Sequence, residues 1–140
     1  MVEDDNVRRI YGATSPLMVT GRAVTDPSEL SEREYLALFA KRPGMYIGRA
    51  TWHGVTGFLE GYNQGAVRHG GRGLDGFREW LITNHLGKES SFSWPGLITQ
   101  IALADRDHVT PLTDEQQARA LAVLFDLLDT FLAEREGMHD

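Results

Sequence analysis

From about residue 28 onward, apolar residues recur every three or four positions, the period of a helix with one buried face. The pattern is strongest near the C-terminus. There Ala118, Leu121, Ala122, Leu124, Phe125, Leu128, Phe131 and Leu132 predict one long helix to about Arg135, with Gly137 just past its end. Thr113 and Gln116 have the spacing of a capping box at its start. Ser31 and Glu34 repeat that signature ahead of Tyr35, Leu36, Leu38 and Phe39, a second amphipathic helix.

Between these two, three further helices are expected. Thr51 suits the N-cap of a helix over 52–68 with a stripe of Val55, Phe58, Leu59, Tyr62 and Ala66. Asp75 is placed to cap another, with Phe77, Trp80, Leu81 and His85 turned inward and Gly87 ending it. Ser93 and Pro95 open a fourth element, faced by Leu97, Ile98, Ile101 and Ala102. Met45, Tyr46 and Ile47 read as a short extended corner after the helix-stopping Pro43 and Gly44.

Before residue 28 no period persists. Gly12, Pro16, Gly21 and Pro27 break the chain into short pieces. The runs 17–19 and 23–24 have the apolar content of short strands, although no clear hairpin turn joins them. The expected fold is therefore mainly α: about five helices in one compact domain over 28–137, after an irregular arm over 1–27 with room for one or two short strands.

One glycine pattern asks for an explanation. Gly57, Gly61 and Gly65 lie four apart inside the 52–68 helix. Each costs roughly 1 kcal/mol against alanine there. Close packing of another helix against that face is the expected compensation, with a bound ligand as the other candidate.

Composition adds boundaries. The chain has 140 residues, 41% hydrophobic and 24% charged, the balance of a globular protein. It has no cysteine, which excludes a disulfide framework, a thiolate metal site and a cysteine nucleophile. The opening MVEDDNVRRI lacks the apolar core of a signal peptide, and no apolar run nears the ~20 residues of a membrane span. A cytoplasmic location with no membrane partner is expected.

The net charge of -6 is unevenly spread. From residue 41 to 78 there are six Lys or Arg against two acids; from 105 to 140 there are nine acids against three Arg. The basic stretch would suit nucleic acid, but scattered solvated charge is the simpler reading, and nucleic acid is not the expected partner. The acidic last helix, with Asp126, Asp129, Glu134 and Glu136, would suit a basic partner.

No reactive constellation stands out. None of the five histidines pairs with another His, or with two carboxylates, at a spacing that one helix could use for metal; His85 and Glu89 are four apart, but Gly87 lies between them. Asp105, Arg106, Asp107 and His108 form a charged cluster, which reads first as turn residues. There is no nucleophile elbow and no phosphate loop. Trp52, Trp80 and Trp94 are expected in the core, with an exposed anchor for a partner as the alternative. Neither catalytic residue, metal nor cofactor is expected.

The run KRPGMYIG at 41–48 is the sharpest motif. It resembles a segment of the ATPase subunits of bacterial type II topoisomerases. There a helix follows with the glutamate and asparagine used for ATP hydrolysis and magnesium. Here Glu60 and Asn63 follow, but three apart rather than four, and the adenine-binding and ATP-lid motifs are missing. An ATPase is not expected.

A wider pattern is that motif with FLEGY at 58–62, FREWL at 77–81, the Trp94 and Pro95 helix start, and LLDTFL at 127–132. It resembles small single-domain bacterial proteins of actinobacterial type that have the look of accessory or immunity proteins. The resemblance implies a non-enzymatic interaction domain, with neutralisation of a partner toxin as its concrete form. Arg42, Met45, Tyr46, Arg49, Trp52, Glu60 and Asn63 are the residues expected to meet the partner. The alternative is a small-molecule or nucleotide-binding domain, its site at the 43–48 turn and the Gly57 and Gly61 helix face.

Overall fold

The computed structural model describes residues 17–19, 21–107 and 109–137. The mainly α fold is as expected, with a short two-stranded sheet near the N-terminus. Most of the expected N-terminal arm, together with His108 and His139, lies outside the described residues. Contacts divide the chain into two units, Met1–Gly48 and Arg49–Asp140.

In the first unit, β1 (Leu17–Val19) and β2 (Arg22–Val24) pair antiparallel, with Val19 opposite Arg22. In the connection between them Gly21 supplies a φ of 79° that few side chains tolerate. Helix α1 (Glu32–Lys41) starts at the expected box. Ser31 Oγ accepts from Glu34 N at 3.1 Å, and Glu34 Oε1 accepts from Ser31 N at 3.0 Å. Arg22 grips the same carboxylate with both guanidinium nitrogens, at 2.7 and 2.8 Å, tying the hairpin to the helix start. Leu36 and Phe39 form the buried face of α1.

The expected extended corner is instead a five-residue helix, α2 (Pro43–Ile47). Proline at its first position has the helical φ already set and gives up only an N–H that the helix would leave unpaired. The residue before it, Arg42, takes the non-helical geometry proline imposes (φ -145°, ψ 65°). Gly48, at φ 87°, ends the turn.

The second unit is built around its last helix. Helix α3 (Trp52–Arg68) begins at Thr51, whose Oγ1 accepts from Gly54 N at 3.0 Å. The free N–H of Trp52 donates to Gln117 Oε1 at 2.8 Å, so a side chain far along the sequence satisfies this helix end. Helix α4 (Phe77–Leu81) runs into a wider π-helical turn, Ile82–Leu86, which Gly87 closes at φ 77°. Its N-cap is Gly76, at φ 90°, rather than the expected Asp75. Helices α5 (Trp94–Ala102) and α6 (Asp114–Gly137) complete the unit. The second capping box is present: Gln116 N donates to Thr113 Oγ1 at 3.1 Å, and Thr113 N to Gln116 Oε1 at 3.0 Å.

Helix α6 packs against α3, α4 and α5. Its buried residues are Ala120, Leu121, Leu124, Leu127, Leu128, Phe131, Leu132 and Arg135. Ala118 and Ala122, expected inward, are exposed. Phe77 sits at the centre, its ring 5.3 Å from that of Phe131 and 5.8 Å from that of Trp94. Arg135 is buried because its charge has partners there. Its guanidinium lies 5.2 Å over the Phe131 ring and donates to Asp75 O at 3.2 Å.

Candidate functional site

The expected contact residues fall in both units. In the first, Arg42 and Met45 are exposed, and Met45 retains 46% of its free surface. Tyr46 is half-buried on the α1 aromatics, edge-on to Phe39 at 5.3 Å and to Tyr35 at 6.3 Å. Burial pushes the hydroxyls of both tyrosines above their ordinary pKa, and for Tyr46 the neighbouring Tyr35 adds to it.

In the second unit Arg49 is exposed, while Trp52 is buried. Glu60 accepts a hydrogen bond from the indole N–H of Trp94, itself buried. That is what a buried tryptophan needs, since an unpaired N–H in the core costs about 1–3 kcal/mol. Asn63 Oδ1 accepts from Leu74 N at 2.8 Å and holds the loop that follows α3 against the helix. The loop comes so close that a Cβ on Gly73 would lie 2.5 Å from that oxygen. Both polar side chains of the topoisomerase-like pattern therefore serve as internal braces.

Asp107 and Arg78 are likewise tied into local structure. Asp107 accepts from the N–H groups of Thr110 at 2.7 Å and Val109 at 2.9 Å, and from the Thr110 hydroxyl at 3.0 Å. The bond from the Thr110 N–H, then that from Val109, holds its carboxyl below the usual carboxylate range. Arg78 clamps the loop before α5 through the carbonyls of Ser90 and Phe92. His85 is exposed rather than inward, its ring 4.9 Å from that of Trp80. Among the described residues, no three or more His, Asp or Glu lie together as a metal site would require.

The glycine face departs most from expectation. Gly57, Gly61 and Gly65 are exposed, and Cβ atoms built on them meet nothing within 4 Å. Among the described residues of the second unit, no helix packs there. At 100° per residue the three span an arc of about 80°. His53 and Gln64, also exposed, border one edge of that arc, exposed Arg68 lies within it one turn further on, and half-buried Phe58 borders the other edge. The result is a strip of bare backbone on an exposed side of α3, whose buried residues, Trp52, Val55, Thr56 and Leu59, all lie in the first half of the helix. The four-residue spacing was visible in the sequence; that the strip faces outward was not. The 43–48 segment belongs to the first unit, and this strip to the second.

Comparison of the chain with protein-family models, with curated proteins and with solved structures gave no match. No helix among the described residues is long and apolar enough to cross a membrane.

Proposed function

We propose that this chain is a protein-interaction domain that acts by surface contact and docks a partner protein on the outward glycine strip of α3. The observation that carries this reading is the strip itself. Three glycines weaken a helix by roughly 0.5–1 kcal/mol each, and nothing among the described residues of their own unit packs on them in return. Bare backbone lets a second protein approach more closely than any side chain would allow. The residues that looked most chemical, Glu60 and Asn63, are engaged in bracing Trp94 and the 73–74 backbone.

The concrete form we favour is an immunity protein that neutralises a partner toxin in the cytoplasm. The sequence resemblance to immunity-like proteins supports it. So does the acidic outer side of α6, where Asp126, Glu134 and Glu136 are exposed while Arg135 is buried. A field of that sign speeds encounter with a basic partner.

The test compares affinity capture from the source organism by the wild-type chain, by Gly61→Leu and by Glu115→Gln, a change on the same unit away from the strip. Support is a protein retained by wild type and Glu115→Gln but lost, at least tenfold, with Gly61→Leu. A toxin encoded beside this chain would fix the immunity form. Equal capture by all three would refute the strip as the contact face.

A further inference from the structure

We draw no further inference here: the strongest candidate, the outward stripe of small residues at Gly57, Gly61 and Gly65 on α3, belongs to the face already described, and nothing in the structure shows what covers it.

Discussion

Replacing Gly57, Gly61 and Gly65 together by alanine separates folding from binding. Each glycine has helical backbone geometry, and an added Cβ meets no described residue of its unit within 4 Å. The substitution therefore introduces no clash and removes backbone freedom from the unfolded chain. At roughly 0.5–1 kcal/mol per site, the triple variant gains about 1.5–3 kcal/mol. With roughly 4 °C per kcal/mol for a chain of this size, its melting midpoint rises by about 6–12 °C. Calorimetry and urea titration of the two purified proteins measure this, with an unchanged urea slope as the sign that the unfolded reference is comparable. Loss of stability, or no change, would refute the reasoning, because it would mean that something already fills the space above the strip. A sequence selected for stability alone would have no reason to keep glycine at these positions.

Three further outcomes follow from the braces around the site. Glu60→Ala leaves the buried Trp94 N–H without its acceptor and lowers stability by about 1–3 kcal/mol, whereas the same change costs less in a Trp94→Phe background, where no N–H is left unpaired; a double-mutant cycle by urea unfolding reads the coupling. Asn63→Ala costs a similar 1–3 kcal/mol, because the N–H of buried Leu74 goes unpaired, and Asn63→Asp costs less since it keeps the acceptor; equal losses for both would contradict the assigned bond. The Asp107 turn is acid-labile. Its carboxyl pKa is lowered on folding, so its stabilisation is present above the ordinary value of 3.8 and fades as pH falls through the lower folded value. The Thr110 amide resonance should follow that titration, and Asp107→Asn should abolish it.

The elements legible in the sequence were those fixed by local chemistry. Both capping boxes and the Thr51 cap need only residues three apart, and all three formed where expected. The long apolar stripe of α6 was legible for the same reason. What failed depended on geometry that period alone does not carry. Met45, Tyr46 and Ile47 are too few to show a period, and proline's preference for a first helical turn decided their shape. The wider π turn after Leu81 adds a residue to the helical repeat, which rotates His85 off the inward face. Arg135 was not among the expected core residues because a charge is rarely buried unless paired. Its partners, a ring one turn back and a carbonyl at Asp75, exist only once the helices have packed. The expected contact residues were partly legible as exposed positions, Arg42, Met45 and Arg49 among them. Glu60 and Asn63 looked chemical from their residue types alone, while the groups they serve lie 34 and 11 residues away.

The most direct test of the central claim uses the absence of cysteine from the chain. Gln64→Cys places one thiol on the rim of the glycine strip without altering the glycines. Its alkylation rate is measured in the isolated protein and again with the captured partner at saturation. Fast labelling alone and slow labelling in the complex is the expected result. The same fast rate in both states would contradict docking on this face, and slow labelling of the isolated chain would contradict its being open at all.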